Sequence, residues 1–306
     1  MSSGHGGNLT RLASEYGCDP GEILDFSANL NPLGPPPGLR DIISRHVSDL
    51  VHYPDPDSSI FLARAARTWN LDPAMLVAGN GTSELLFTAV RTLPVRRGVI
   101  PVPSYIDYET ACRASGLPVE RLVLGPDNGF TLDLDVLAGM LAPGDLVLLG
   151  QPANPTGVVS DPRALLECIL FHPDVFFLVD EAFGGFVPGF RSLAGAADNL
   201  VTLHSLTKIF AIPGLRLGFL AADPALAERI RNQLAPWSVN TLAQACGAAF
   251  LDHSDYLART VETTRTLREK LGEELGRLPG LTVYPGQANY LLVRSQTLGR
   301  TSWPTG

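Results

Sequence analysis

Ser205-Leu206-Thr207-Lys208-Ile209-Phe210-Ala211-Ile212-Pro213-Gly214-Leu215-Arg216-Leu217-Gly218 sets one lysine in an otherwise apolar run, just after the strand-like Leu200-Val201-Thr202-Leu203. Ser205 lies three residues before Lys208 and Arg216 eight after it. A side-chain amine attacks a carbonyl only when part of it is neutral near pH 7, and partial desolvation produces that state. A hydroxyl and a guanidinium beside the amine suit a phosphate dianion. A polar, lysine-bearing turn at the end of a strand also lies where open α/β sheets take their ligands, beyond the carboxyl ends of the strands.

Working outward, similar apolar runs occur at 75–78, 98–102, 119–124, 145–149, 175–179 (closing on Asp180) and 218–221. Helical patterns separate them: 59–69, a helix opened by the turn at 79–84 and running to about 92, then 108–115, 134–140 and 163–171. Continuous apolar strands alternating with helices predict an α/β fold with a mostly parallel sheet covered on both faces. A helix is expected from Pro224 to the break at Pro236, then a long helical region over 241–278 with a break near 253–254. Strands at 281–284 and 289–294 begin a smaller α+β unit. At the other end, Asn29-Leu30-Asn31-Pro32-Leu33-Gly34-Pro35-Pro36-Pro37 excludes regular helix or central strand. The expected organisation is an arm over 1–40 that packs on the site and the small domain, a large domain over 41–222 and a small domain over 223–306.

The chain has 306 residues, 45% apolar and 18% charged, the composition of an ordinary globular protein large enough for two domains. A net charge of −8 argues against nucleic acid or an anionic membrane as the main partner. The start, from Met1 to Asn8, has no basic and apolar signal regions, and no uninterrupted apolar stretch of spanning length occurs, so a cytoplasmic location is expected. Cys18, Cys112, Cys168 and Cys246 are scattered without zinc spacing, so reduced thiols used in packing, and no metal, are expected.

Other chemistry-bearing residues fall on the same side of the predicted sheet. Gly81-Thr82-Ser83 follows a strand and opens a helix, a nest of N–H groups suited to phosphate. Tyr105, Asn154-Pro155-Thr156-Gly157 and Asp180 each follow or close a strand. Each alone reads equally as a turn or a helix cap; their common placement is the signal. A lysine with a phosphate clamp is what pyridoxal phosphate requires.

The spaced set Ser205, Lys208, Pro213, Gly214, Arg216 and Gly218, with Asn154-Pro155-Thr156-Gly157 and Asp180-Glu181-Ala182, resembles the fold-type I pyridoxal-phosphate enzymes, in the branch that includes histidinol-phosphate aminotransferase. The resemblance implies that Lys208 is the Schiff-base lysine and that Asp180 pairs with the pyridinium nitrogen. It places Asn154 on the phenolate oxygen O3′ and Tyr105 on the ring face. Gly81, Thr82, Ser205 and Arg216 would hold the phosphate. Tyr53, in His52-Tyr53-Pro54, is similar to the tyrosine that reaches the neighbouring subunit's cofactor, which implies a homodimer with shared sites. Phe183 departs from the tyrosine that often bonds O3′ in the aminotransferases.

The arm sharpens the resemblance. His5-Gly6-Gly7-Asn8, the run from Asp25 to Gly34, Ala235-Pro236-Trp237-Ser238-Val239-Asn240 and the run from Tyr284 to Leu292 are similar to the L-threonine-O-3-phosphate decarboxylases of cobalamin biosynthesis. That family implies a phosphorylated amino-acid substrate held near His5, Gly6, Asn29 and Asn154. The family pattern stops after Arg294, where the family continues with arginines that grip the substrate. Arg300 is the one cation over 295–306, so a truncated copy with an incomplete small domain is expected. Three readings therefore stand open: the decarboxylase, an aminotransferase of the histidinol-phosphate type, and a chain of this fold without catalysis.

Overall fold

The computed structural model describes residues 6–296. Seven strands form the main sheet: β1 (Leu76–Asn80), β2 (Arg97–Val102), β3 (Val119–Val123), β4 (Asp145–Gly150), β5 (Phe176–Asp180), β6 (Leu200–Ser205) and β7 (Leu217–Ala221). Their order is β1-β7-β6-β5-β4-β2-β3. β7 runs antiparallel to both its neighbours, and every other pairing is parallel. The fold is thus the mostly parallel α/β sheet that the apolar runs predict, and six strands end on one edge.

Helices cover both faces. On one side Leu85, Leu86, Tyr108, Cys112 and Ile230 pack against Ile100, Leu148, Leu178 and Leu220 of the sheet. On the other, Phe61, Phe210 and Phe250 gather around Phe219. Val99, Val147 and Phe177 meet Leu165 and Ile169 in a third cluster. Each such aromatic or aliphatic side chain contributes roughly 1.5–3 kcal/mol when fully removed from water. Three of the four cysteines, Cys112, Cys168 and Cys246, are buried in this packing, and all four are free thiols.

Local chemistry sets the helix starts. Asp161 accepts from the N–H groups of Arg163 (2.7 Å) and Ala164 (3.1 Å) ahead of the helix Pro162–Phe171. Asp223 does the same before Pro224–Arg231. Proline at the first helical position sacrifices no hydrogen bond, since that N–H has no partner in the helix.

The boundaries differ from the sequence pattern in three places. The helix from Pro224 ends at Arg231, and the chain leaves it through turns at Gln233 and Leu234 well before Pro236. The 241–278 region, by contrast, breaks where the sequence places it, between the helices Thr241–Phe250 and Ser254–Gly276. The arm contains a helix, Leu9–Tyr16, capped by Asn8 and stopped by Gly17 in the left-handed region (φ 66°). A second, two-stranded antiparallel sheet pairs β8 (Leu281–Tyr284) with β9 (Leu292–Ser295). β9 begins later than the pattern suggests, because the preceding residues leave the strand path and reach the main sheet. Among the described residues no helix is long and apolar enough to cross a membrane.

The arm is fastened by Asn31. Its Nδ2 lies 2.8 Å from each of Ile209 O, Tyr256 Oη and Thr260 Oγ1, and its Oδ1 accepts from Leu33 N–H at 3.0 Å. The Asn31 backbone N–H donates to the carbonyl of Lys208 at 3.1 Å, which ties the arm directly to the lysine segment.

Candidate active site

Six strands present their carboxyl ends on one edge, and β7 enters at that same edge. Asn154 therefore follows β4, Asp180 ends β5, Lys208 follows β6 and Arg216 precedes β7. Gly81 follows β1 and Tyr105 lies just beyond β2. The topology brings these separated residues to one rim, the ligand position of open α/β sheets.

Lys208 sits in the short helix Leu206–Ile209. Its Nζ donates to Ser205 Oγ at 3.1 Å, and Ser205 Oγ lies 2.8 Å from Thr207 Oγ1. Burial lowers the pKa of the amine; Asp180 works against that shift and Arg216 adds to it. Asp180 moves the opposite way: burial raises its pKa, opposed by Lys208 and by the Ala182 N–H and the Tyr108 hydroxyl that bond it. Those two bonds measure 3.0 Å and 3.1 Å. Enclosure thus pushes amine and carboxyl towards their neutral forms, while their mutual attraction holds charge on both.

The anion clamp follows from backbone geometry. Arg216 has φ 58° and Gly81 φ 78°, and a Cβ on Gly81 would collide with Arg216 Nη2. Only glycine lets the guanidinium lie against the turn that opens the helix Thr82–Thr92. Gly218 is needed nearby: its Cβ would stand 2.9 Å from His204 O and 3.1 Å from Thr82 N. Arg216 Nη1 donates to Pro213 O at 3.2 Å. A hydroxyl, a guanidinium and the first amides of a helix converge here, a donor set matched to phosphate.

Tyr105 donates to Asp107 Oδ2 at 2.7 Å, and its ring meets Tyr108 edge-on at 5.6 Å. Burial, then Asp107, pushes its phenol well above the ordinary range, so it stays protonated. Tyr108, which bonds Asp180, was not anticipated from the sequence. Its place three residues after Tyr105 on one helical face was the available signal.

Asn154 stands in a loop closed by Ala153 N–H to Val158 O (2.8 Å) and Gly157 N–H to Ala153 O (2.6 Å). Gln287 N–H donates to Gly157 O at 2.7 Å. Tyr290, also missed, donates to Ala153 O at 3.0 Å and meets Phe183 edge-on at 4.9 Å. Phe183 in turn faces Lys208, whose Nζ is 6.0 Å from its ring centre.

The arm residues are placed unevenly. Asn29 lies two residues before Asn31, whose N–H bonds Lys208 O, and Asn289 Nδ2 holds Leu30 O at 3.3 Å. Gly6 lies against Ser27, whose Oγ accepts from Gly7 N–H at 2.7 Å. His5 and Arg300 lie outside the described residues. Tyr53 is not drawn into the rim: it is 79% exposed and stacks on Trp237 with ring centres 4.4 Å apart.

Behind the rim, Glu181 and His204 point to the other side of the sheet. Glu181 accepts from Leu193 N–H at 2.8 Å and Ser192 Oγ at 2.5 Å, and burial pushes its carboxyl up to about 7. His204 stacks on Phe219 at 4.5 Å, and burial pulls its pKa down to about 3.

Comparison with known proteins gives the family and the fold. The family model "Aminotransferase class I and II" matches residues 21–297. A threonine-phosphate decarboxylase of Salmonella typhimurium is 37% identical over 303 residues, covering 97% of this chain and 83% of that protein. An adenosylcobalamin biosynthesis bifunctional protein of Leptospira interrogans is 34% identical over 295 residues, which cover 95% of this chain and 34% of that longer protein. A histidinol-phosphate aminotransferase of Methanopyrus kandleri is 31% identical, covering 96% of this chain and 79% of that protein. Among solved structures, the histidinol-phosphate aminotransferase of Clostridium acetobutylicum superposes with a TM-score of 0.84 at 25% identity, covering 90% of this chain and 84% of that one. That of Sinorhizobium meliloti, in complex with pyridoxal-5'-phosphate, has the same TM-score of 0.84 at 20% identity, covering 95% and 80%.

Proposed function

This chain belongs to the aminotransferase class I and II family, and we propose that it is a pyridoxal-phosphate enzyme that decarboxylates L-threonine O-3-phosphate to (R)-1-amino-2-propanol O-2-phosphate in cobalamin biosynthesis. The observation that carries the cofactor is the Lys208 amine, enclosed between Ser205, Asp180 and Arg216 at the rim where six strands end. The Gly81 cradle fits a phosphate, because the missing Cβ leaves the Arg216 guanidinium against the helix start. The substrate choice rests on the 37% identity to a threonine-phosphate decarboxylase over nearly the whole chain.

When bound, pyridoxal phosphate supplies a conjugated ring that takes up the electron pair released as carbon dioxide leaves. The chain's own residues do the rest. Ser205, Thr82, Gly81 and Arg216 bind the phosphate dianion by charge-assisted hydrogen bonds. Asp180, steadied by the Tyr108 hydroxyl, would hold a proton at the ring nitrogen. With the cofactor bound, Asn154 would donate to O3′ and Tyr105 would lie against the ring. A decarboxylase must hold the substrate carboxylate out of the ring plane and keep its base from the Cα proton. Asn29, Gly6 and His5 are assigned to the substrate's carboxylate and phosphate, and Lys208 Nζ to the proton that Cα takes up after the carboxylate leaves. A second copy completes the site by presenting its Tyr53, so the working form is a homodimer, placed in the cytoplasm as the sequence leads one to expect. The exposed Leu50, Val51 and Tyr53 support that contact.

The visible absorption band of lysine-bound pyridoxal phosphate tests the cofactor assignment. Wild-type protein supplied with the cofactor should show it, and Lys208→Ala, folded by circular dichroism, should not. A wild type without the band sinks the reading. The second reading, histidinol-phosphate transamination, is favoured by the 0.84 TM-score to such an enzyme; it predicts an amino-group transfer to the cofactor in place of carbon dioxide release.

A further inference from the structure

Residues 286–290 cross between the second sheet and the main one, and they touch three separate parts of the molecule. Gln287 N–H donates to Gly157 O (2.7 Å) and Tyr290 Oη to Ala153 O (3.0 Å), both in the Asn154 loop. Asn289 Nδ2 donates to Leu30 O in the arm (3.3 Å). Arg268, from the helix Ser254–Gly276, donates to Gln287 O (2.8 Å) and Ala288 O (3.0 Å). The loop and the crossing segment meet backbone to backbone: a Cβ on Gly286 would stand 2.8 Å from Thr156 O, and one on Gly157 would stand 3.0 Å from Gly286 Cα.

We propose that Tyr290 is a positioning residue for Asn154, its hydroxyl latching the Ala153 carbonyl while its ring braces Phe183 opposite Lys208. The Ala153 carbonyl has two lone pairs. One takes the loop's own closing bond from Gly157 N–H at 2.6 Å, and the Tyr290 hydroxyl takes the other. The loop that carries Asn154 is therefore held from outside by a donor on a different sheet. Phe183 offers no hydroxyl at this rim, and the Tyr290 ring packs against it at 4.9 Å. Burial, then the nearby Asp180, raises the Tyr290 phenol far above its ordinary range, so it remains a proton donor across neutral pH. One side chain thus sets two walls of the rim, the Asn154 loop and the phenylalanine facing the lysine. This inference rests on the assignment of Asn154 to the cofactor made above.

Tyr290→Phe removes the donor and keeps the ring. In cofactor-free protein, hydrogen exchange measured by mass spectrometry on the peptide covering residues 151–160 should be on the order of fivefold faster in Tyr290→Phe than in wild type. Unchanged exchange overturns the latch. With pyridoxal phosphate supplied, the pH midpoint of the lysine-bound absorption band is followed in wild type, Tyr290→Phe, Asn154→Ala and the double variant. Tyr290→Phe should shift the midpoint in the same direction as Asn154→Ala, and the double variant should match Asn154→Ala alone. Shifts that simply add would show that Tyr290 does not act through Asn154, and would overturn the proposal. Were wild type to take up no cofactor, the assignment of Asn154 would fall, while the exchange comparison would still decide whether the latch exists.

Discussion

Replacing Asn31 with alanine removes the side chain that fastens the arm to the lysine segment, and its cost can be worked bond by bond. The amide serves Ile209 O, Tyr256 Oη, Thr260 Oγ1 and Leu33 N–H. Two of these keep other partners, since Tyr256 Oη donates to Gly34 O at 2.5 Å and Thr260 also hydrogen-bonds the Tyr256 hydroxyl. Ile209 O, left with only a long approach from a hydroxyl already committed to Gly34 O, and Leu33 N–H lose theirs. Each lost bond is worth about 1 kcal/mol net, and each polar group left buried without a partner costs about 1–3 kcal/mol. Partial relaxation and water entry reduce the upper figure, so Asn31→Ala should destabilise the protein by about 3 kcal/mol. Urea unfolding followed by fluorescence gives the global value, and limited proteolysis at 6–27 reports release of the arm alone. Because the Asn31 N–H holds the Lys208 carbonyl, a loosened arm should also weaken pyridoxal phosphate binding. A stability loss below about 1 kcal/mol with unchanged arm cleavage would refute the hub.

Two further outcomes follow from residues around the rim. Glu181, with its pKa raised to about 7, binds more protons folded than unfolded between roughly pH 4.5 and 7, so its own contribution to stability should fall as pH rises through that window, while buried His204, with its pKa lowered to about 3, contributes the opposite slope up to about pH 6.5. The Glu181 contribution changes by on the order of 3 kcal/mol by pH 8, so the stability difference between wild type and Glu181→Gln, measured by urea unfolding, should shift by about that much between pH 5 and pH 8; a difference independent of pH would contradict the burial of that carboxyl. Gly218→Ala forces a Cβ between two backbone groups that cannot swing aside, His204 O and Thr82 N, so cofactor affinity should drop at least tenfold in titrations of the visible band, and unchanged affinity would contradict the role given to the Thr82 amide.

The rim was legible because its residues share a local signature: a polar group at the end of an apolar run. Lys208, Asp180, Asn154, Tyr105 and Gly81 all carry it, and a parallel sheet aligns strand ends without further information. Residues that join the rim through long-range packing carry no such mark. Tyr108 bonds a carboxylate 72 positions away, and Tyr290 a carbonyl 137 away. The arm helix Leu9–Tyr16 is only two turns long, too short for its period to stand out from an irregular segment. The late start of β9 reflects tertiary contacts of residues 286–290 that outweigh a strand-like sequence. Tyr53 reads as a site residue in the sequence yet stacks on Trp237 at the surface of a single chain. A role for it therefore requires a second copy.

The central claim is tested most directly by incubating the protein, loaded with pyridoxal phosphate, with L-threonine O-3-phosphate and measuring released carbon dioxide beside the phosphorylated product. The account predicts stoichiometric carbon dioxide and 1-amino-2-propanol O-2-phosphate, with neither formed by Lys208→Ala. Keto-acid formation with transfer of the amino group to the cofactor, and no carbon dioxide, would contradict it.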